Sequence, residues 1–279
     1  MTEPAYGFAA ELSGPVHEPG LRDPGLHAGP GEIEISPEWA LVPAAGFDEV
    51  SAAGAEDFTE FLRVSMGVDL GLAAPPVRGS GRGIRLVVAR DLGPEAFRVR
   101  VQPGGICVEG GDGAGVLYGL VHLEHLMTER EAPILPVGEL ARTPRFETRI
   151  LRAYHSPFYE NELDSPEDYY SDRYLARLAH HGYNGIWLHQ RLRELVTATP
   201  TFPDLGEPGA APSLAAGLTR TFPAQTPVQR IARLRGLVAR ARRWGIGVYL
   251  YLNEPRAYPE TSEFYRRHPQ AAGHREAWN

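Results

Sequence analysis

The 279-residue chain has a single cysteine, Cys107, and no lysine, so its 28 basic side chains are all arginines. One cysteine excludes an internal disulfide and a zinc site built on several cysteines. No run of about 18 apolar residues is present, which argues against a membrane-spanning helix. The N-terminus also lacks the cationic and apolar segments of a secretion signal. We therefore predict a cytoplasmic protein that does not bind membranes.

The charge balance excludes another class of function. The formal net charge is −7, and no basic stripe runs along the chain. Nucleic-acid binding needs clustered cations that neutralise phosphates. The densest group, Arg240, Arg242 and Arg243, lies where a helix is predicted to end, and there cations interact favourably with the helix dipole. We predict no nucleic-acid partner.

The composition, 43% hydrophobic and 23% charged, is that of a globular protein, and the length indicates about two domains. Residues 1–31 are rich in proline and glycine and are predicted to be a flexible tail or a loosely packed arm. Residues 32–142 show the pattern of a small α+β domain. Their predicted order is strand, helix, strand, β-hairpin and helix, with the hairpin turn at Gln102-Pro-Gly-Gly.

Residues 143–279 alternate strands and helices, which predicts a parallel sheet. The strands are expected at 149–154, 183–189 and 246–252. One helix is expected to begin near Ser165-Pro166, and another at the capping box Thr226-Pro-Val-Gln229. A doubly wound sheet and a (β/α)8 TIM barrel both fit. A full barrel needs about 250 residues, roughly twice the length of the chain after Arg149, so we expect about the first three βα units of a barrel.

In both architectures ligands bind beyond the carboxyl ends of the strands. The candidates there are Tyr154, His189, Asn253 and Glu254. Glu254 is either a general acid or hydroxyl acceptor or a solvated residue before a proline, and His189 is either a site residue or a histidine that caps its strand. Arg149 heads the first strand, where its guanidinium makes either a bidentate ligand contact or a structural ion pair.

Two other patterns are predicted to be structural. The run from Gly110 to Gly115 lies between a strand and a helix but does not fit the G-x-G-x-x-G register, and the chain has no lysine for a P-loop. His122 and His125 have a metal-like spacing on a helix, with no evident third ligand. We predict neither a cofactor nor a metal.

Two stretches resemble a known family. The first runs from Phe97 to Leu123 (FRVRVQPGGICVEGGDGAGVLYGLVHL) and is similar to the small α+β domain that precedes the barrel in glycoside hydrolase family 20, the β-N-acetylhexosaminidases. The second, Thr143-Pro-Arg-Phe-Glu-Thr-Arg149, resembles the entry into the first barrel strand of that family. The resemblance implies that Arg149 holds hydroxyls of the bound sugar. From their places at the strand ends, we predict that His189, Asn253 and Tyr154 line the same pocket.

The chain differs from the family in its strands, which indicates a divergent branch. Family members usually place an Asp a few residues after the arginine, where this chain continues Ile-Leu-Arg-Ala-Tyr-His. The family mechanism uses the acetamido group of the substrate as nucleophile, with an Asp that orients it and a Glu that protonates the leaving oxygen. That pair belongs to a fourth strand, which the chain does not reach, so we expect little activity from this chain alone.

The resemblance therefore implies a glycosidase acting on an oligosaccharide or glycoconjugate, with Glu254 as the candidate acid. The alternative is a non-catalytic carbohydrate-binding or scaffold protein that pairs with a partner chain. An open parallel sheet leaves strand edges exposed, so we also expect self-association through the open barrel.

Overall fold

The computed structural model of the chain describes residues 14–44, 46–70, 82–152, 162–163, 168–190, 195, 225–252 and 263–271. Within these residues the fold is mixed α/β, with ten strands, five α-helices and one 3-10 helix. No helix in the described ranges is long and apolar enough to cross a membrane.

The described residues fall into two compact units. The first unit consists of the described residues within Met1–Leu151, Tyr170–Ile186 and Ala239–Gly247. The second unit consists of the described residues within Arg152–Tyr169, Trp187–Val238 and Val248–Asn279. The division of the sequence at residues 31 and 142 stays a prediction.

The first unit contains a five-stranded sheet and two long helices. Its strands and helices, in chain order, are β1 (Glu32–Glu34), β2 (Ala40–Pro43), α1 (Glu49–Val64), β3 (Gly83–Val88), β4 (Phe97–Gln102), β5 (Gly105–Gly110), α2 (Gly113–Arg130), β6 (Ile134–Pro136), β7 (Gly138–Arg142) and β8 (Ile150–Leu151). The sheet order is β2-β3-β5-β4-β7, and β1 pairs with β6 in a separate two-stranded sheet. The predicted hairpin is confirmed, since β4 and β5 pair antiparallel from Phe97↔Gly110 to Gln102↔Gly105.

Alternation along β4 separates the core from the surface. Phe97, Val99 and Val101 are buried, whereas the intervening Arg98 and Arg100 each make ion pairs on the other face. The buried face is covered by α1 and α2, whose apolar residues join one hydrophobic cluster. Each fully buried large apolar side chain in such a core contributes roughly 1.5–3 kcal/mol to the free energy of folding. This cluster therefore stabilises the packing of the helices on the sheet that the pattern predicted.

The glycine run before α2 lets the chain approach itself closely. A Cβ added at Gly111 would lie 1.9 Å from the carbonyl oxygen of Gly93, and one at Gly115 would lie 2.3 Å from that of Ala96. Asp112 caps α2 by accepting a hydrogen bond from the Gly115 N–H at 2.8 Å. Close packing of the turn thus accounts for these glycines without a bound phosphate.

Residues 14–31 pack within the first unit, along the end of α1. The Gly20 N–H donates to the Val64 carbonyl at 3.2 Å and the Arg22 N–H donates to the Ser65 carbonyl at 3.1 Å. His17 is buried. For residues 14–31 these contacts favour a packed arm, one of the two alternatives that the sequence left open.

The remaining described elements alternate as predicted. After β8 come α3 (Asp172–His180), β9 (Gly185–Gln190), α4 (Pro227–Arg243) and β10 (Gly247–Leu252), followed by α5 (Glu263–Arg267) and the 3-10 helix Pro269–Ala271. The strands form a sheet in the order β10-β9-β8. β8 and β9 are parallel, with Ile150 opposite Gly185.

The two helix starts differ in how well the sequence predicted them. The capping box of α4 is confirmed, since the Gln229 N–H donates to Thr226 Oγ1 at 3.3 Å and the Thr226 N–H donates to Gln229 Oε1 at 2.8 Å. The prediction that α3 begins near Ser165 is wrong, because residues 168–171 are not helical and the helix begins at Asp172. Ser171 is the N-cap instead and accepts from the Tyr174 N–H at 3.3 Å.

Candidate functional site

Arg149 precedes β8, and its guanidinium is engaged by the chain on several sides. Nε donates to the Gly182 carbonyl and Nη1 to the Phe146 carbonyl, each at 2.5 Å. Nη2 lies 2.5 Å from Glu95 Oε2 and 3.3 Å from the Tyr118 hydroxyl. These contacts use donors on all three guanidinium nitrogens within the first unit.

Asn184 extends this cluster to the start of the next strand. Its Nδ2 donates to Glu95 Oε1 at 2.9 Å, so both oxygens of that carboxylate accept a hydrogen bond. Its Oδ1 accepts from the Arg149 N–H at 2.8 Å. Its carbonyl oxygen accepts from the Gly247 N–H at 2.9 Å. One amide residue therefore connects the beginnings of three strands.

Glu95 occupies an uncommon backbone conformation, with φ at 58°. A non-glycine residue in this region costs of order 1–3 kcal/mol unless its surroundings stabilise it. The Glu95 and Arg149 side chains are only 17% and 20% exposed. Burial lowers the pKa of the Arg149 guanidinium, but hydrogen bonds to Glu95 and Tyr118 outweigh that effect, so the pKa is raised overall. The ion pair therefore holds the side chain of a residue whose backbone has a positive φ.

These contacts bear on the role expected for Arg149. The sequence left two alternatives open, a ligand contact and a structural ion pair. The contacts with Glu95 and with backbone carbonyls are those of a structural ion pair and favour that alternative. Sugar binding by Arg149 stays a prediction.

A second cluster lies within the second unit. Arg152 follows the last residue of β8, and its Nε donates to Glu162 Oε1 at 3.2 Å. The Arg152 Cζ lies 5.2 Å from the centre of the Trp187 ring. The Trp187 ring in turn meets the Tyr251 ring edge-on, at 5.4 Å between centroids.

This second cluster combines the groups that small-molecule sites commonly use. Such sites are lined by aromatic side chains with a few polar groups that set orientation. Tyr251 is 52% exposed and Tyr249 is 44% exposed, so these aromatic residues of β10 are accessible. The Glu162 side chain is almost fully buried beside Arg152. A cation over an indole ring adds an attraction of roughly 0.5–2 kcal/mol, which holds the guanidinium near the aromatic pair.

Four other predicted site residues lie wholly or partly outside the described part of the chain. His189 lies in β9, but its side chain is outside that part. Tyr154, Asn253 and Glu254 are entirely outside it. Their roles in binding and catalysis stay predictions.

Sequence reasoning missed several members of the two clusters, among them Glu95, Asn184, Arg152, Glu162 and Trp187. Glu95 lies between two predicted strands and gave no signal. Trp187 alternates with Ile186 and Leu188, which are fully buried, so the period-2 pattern of a strand was a usable signal that it faces the other way.

Residues 25–141 match the family described as "Glycosyl hydrolase family 20, domain 2". Among curated protein sequences, no significant relative of the chain was found. The similar solved structures include the N-acetyl-β-hexosaminidase of Streptomyces plicatus in complex with Thio-NAglucal. Its identity is 20% and its TM-score 0.55, and the match covers 81% of this chain and 44% of that chain.

Two further solved structures share the fold. The GH20 β-N-acetylhexosaminidase of Streptomyces coelicolor A3(2) matches at 19% identity and a TM-score of 0.53, over 80% of this chain and 44% of that one. A GH138 enzyme targeting pectin rhamnogalacturonan II matches at 16% identity and a TM-score of 0.53. The match covers 77% of this chain and 31% of that one. At these identities the likeness shows the fold alone. The chain spans less than half the length of these three proteins.

Proposed function

We propose, on the premise that residues 25–141 are a glycosyl hydrolase family 20 domain 2, that the chain belongs to a glycoside hydrolase of the β-N-acetylhexosaminidase type. That domain match is the observation that carries the proposal. In this proposal β8, β9 and β10 are the first three strands of a (β/α)8 barrel. The strand order β10-β9-β8, in which sequence neighbours are also neighbours in the sheet, supports a barrel over a doubly wound sheet, whose order reverses at a switch point.

The substrate site in this proposal lies at the carboxyl ends of these strands, around Arg152, Trp187 and Tyr251. Two observations support it. Active sites of TIM barrels are built at this face, and these three residues put a cation and two aromatic rings in contact there. Because a relative of the same fold is named an N-acetyl-β-hexosaminidase, we propose N-acetylhexosaminides as the substrate class.

Binding and hydrolysis are separate parts of the proposal. Substrate recognition needs an aromatic surface and a few polar groups, whereas bond cleavage of this type needs paired acidic groups in addition. We propose that the 279-residue chain recognises the sugar but does not hydrolyse it rapidly, because Glu254 is the only candidate acid that the sequence places at a strand end.

The experiment is a fluorescence titration of the purified, tag-free chain with N-acetylglucosamine. Trp187 is the reporter, so binding is expected to change the emission in a saturable way and Trp187→Phe is expected to abolish that change. Arg152→Gln is expected to weaken binding at least tenfold, since a lost charged hydrogen bond is worth about 1.5–3 kcal/mol. Circular dichroism checks that each variant is folded.

Trp244→Phe is the matched control, because Trp244 directly follows α4 in the other unit. It is expected to change the basal emission but not the binding curve. A wild-type chain without a saturable response, or a response that survives Trp187→Phe, would reject this site.

The second candidate is a carbohydrate-binding or scaffold protein that pairs with a partner chain. The observation that favours it is the exposure of β10, where Tyr249, Leu250 and Tyr251 are 44%, 38% and 52% exposed. Exposed apolar strands are association surfaces. Size-exclusion chromatography with light scattering of the isolated chain tests this pairing, since a well-behaved monomer contradicts both an obligate partner chain and self-association through an open barrel.

A further inference from the structure

Four titratable side chains from four separate segments converge inside the first unit. They are His17 in the packed arm, Asp57 in α1, Glu124 in α2 and His180, the last residue of α3. One nitrogen or oxygen from each lies within 4.8 Å of the corresponding atoms of the others. We call these residues the His-carboxylate cluster.

Asp57 is central in this cluster. Its Oδ1 lies 3.1 Å from His17 Nε2, and its Oδ2 lies 2.6 Å from His180 Nε2. Glu124 approaches from the other side, with Oε2 at 3.5 Å from His180 Nδ1. All four side chains are nearly or fully buried, with exposures between 5% and 13%.

Glu124 is the member that the surrounding protein satisfies least. Its Oε1 is buried and has no hydrogen-bond partner among the described residues. An ionised carboxylate without compensation is costly in such a place. Burial raises the pKa of Glu124 well above its usual value, and the nearby Asp57 charge adds to the rise. Burial also acts to raise the pKa of Asp57, but hydrogen bonds from His17 and His180 outweigh it and lower that pKa to about 2.

We propose that the His-carboxylate cluster binds one divalent transition-metal ion, with Zn²⁺ as the representative member of the class. This site is independent of the proposed sugar site, whose residues belong to the other unit. It also differs from the His122 and His125 pair, which lies on α2 but outside the cluster.

The donor set supports this class of metal. Two imidazole nitrogens and two carboxylate oxygens are ligands that Zn²⁺ and its first-row neighbours accept, and four protein ligands are usual in structural zinc sites. Two carboxylates balance the charge of a divalent cation when both histidines are neutral. The ion would also give the Glu124 carboxylate a cationic partner, since its nearest described basic group, His180 Nδ1, lies at 3.5 Å.

The burial of the cluster points to a structural role. Catalytic zinc sites keep one position open to water or substrate, whereas structural sites are closed by protein ligands. A metal here would cross-link the arm at residue 17 to three helices. It would thereby add a cross-link to the contacts that already hold the arm, among them backbone hydrogen bonds to Val64 and Ser65 and the Arg22–Glu34 ion pair.

The first experiment measures metal binding by the full-length, tag-free chain. After EDTA treatment and removal of the chelator, the chain is titrated with ZnCl₂ in a calorimeter, and its metal content is measured by mass spectrometry. We expect about one equivalent of Zn²⁺ per chain. Free Zn²⁺ at about 100 times Kd is expected to raise Tm by roughly 5–10 °C. Binding below 0.2 equivalents, or a Tm unchanged by Zn²⁺, would overturn the proposal.

Two pairs of variants locate the site. Glu124→Gln and His180→Gln are expected to weaken Zn²⁺ binding at least tenfold, the loss that even outer-shell changes cause. Their controls are Glu129→Gln on the same helix and His181→Gln next to His180, both exposed and outside the cluster. The controls are expected to bind like wild type. Equal losses in a variant and its control would place the metal elsewhere and overturn the proposal.

A metal-free hydrogen-bond network predicts no Zn²⁺-dependent change in Tm, either in wild type or in Glu124→Gln. Replacing a buried carboxyl by an amide in such a network would leave Tm unchanged or raise it, with or without Zn²⁺. In a metal site the same variant loses the Zn²⁺-dependent part of Tm and keeps the Tm of the EDTA-treated wild type. Titration with Co²⁺ is an independent readout, since four-coordinate nitrogen and oxygen ligation is expected to produce visible absorption bands that Glu124→Gln removes.

Discussion

Arg149 Nη2 lies 2.5 Å from Glu95 Oε2, although 54 positions separate the two residues in the sequence. The contact joins the turn before β4 to the beginning of β8. Asn184 donates to the other oxygen of the same carboxylate at 2.9 Å. The arginine that the family resemblance assigns to sugar binding is thus part of the packing of the first unit.

Arg149→Gln is expected to destabilise the protein by about 1–3 kcal/mol. The change leaves Glu95, which is only 17% exposed, without its main counter-ion, and breaking a largely buried pair exposes the remaining charge to an uncompensated desolvation cost. Urea unfolding followed by circular dichroism measures the difference in the free energy of unfolding.

The matched control is Arg63→Gln. Arg63 pairs with Glu60 at 3.9 Å, and both side chains are more than half exposed. Exposed ion pairs of this kind contribute little to the free energy of unfolding. The control is therefore expected to change that free energy by less than about 0.5 kcal/mol. If both variants unfold at the same urea concentration as wild type, the Arg149 contacts do not stabilise the fold.

Gly115→Ala is expected to cost at least about 2 kcal/mol, since forced overpacking typically costs 1–3 kcal/mol. The new Cβ would lie 2.3 Å from the Ala96 carbonyl oxygen and 3.0 Å from Gly110 Cα. Both obstacles are backbone atoms, which cannot move aside as a flexible side chain can. The same substitution at Gly104, where nothing lies within 4 Å of an added Cβ, is expected to be tolerated. A wild-type Tm for Gly115→Ala would contradict the close approach of this turn.

Gly236→Ala is expected to stabilise the protein. Gly236 lies inside α4, and no atom lies within 4 Å of a Cβ added there. Alanine is favoured over glycine in a helix interior by about 0.8–1 kcal/mol. Thermal unfolding is expected to show a higher Tm, and a lower value would indicate that α4 packs differently from the structure described.

The sequence predicted features that depend on short-range patterns. Alternation around the turn at residues 103–104 identified the hairpin, and a Thr-x-x-Gln spacing identified the start of α4. Both features involve residues a few positions apart, so their physical cause is visible in a short window. The predicted start of α3 was wrong because serine is a favoured N-cap residue and the sequence has two serines, Ser165 and Ser171, near this helix. Local propensity does not choose between them.

The sequence did not predict contacts between distant segments. Glu95 gives no local signal as the counter-ion of Arg149. His17, Asp57, Glu124 and His180 have no motif spacing, and the sequence analysis predicted no metal site. Such clusters form only when tertiary packing brings separate elements together, so no periodicity or spacing along the chain encodes them.

The purified 279-residue chain is expected to hydrolyse p-nitrophenyl N-acetyl-β-D-glucosaminide no faster than a buffer blank. Two carboxyl groups with separate roles are the usual requirement for glycoside hydrolysis, and the substrate-assisted route still needs an acid and an orienting group. Glu254 is one candidate acid. Glu162 is held by Arg152 in a nearly buried ion pair. Robust turnover would contradict this expectation, and comparing Glu254→Gln with Glu162→Gln would then identify which carboxylate acts. If both variants stayed active, the acid would have to be another residue.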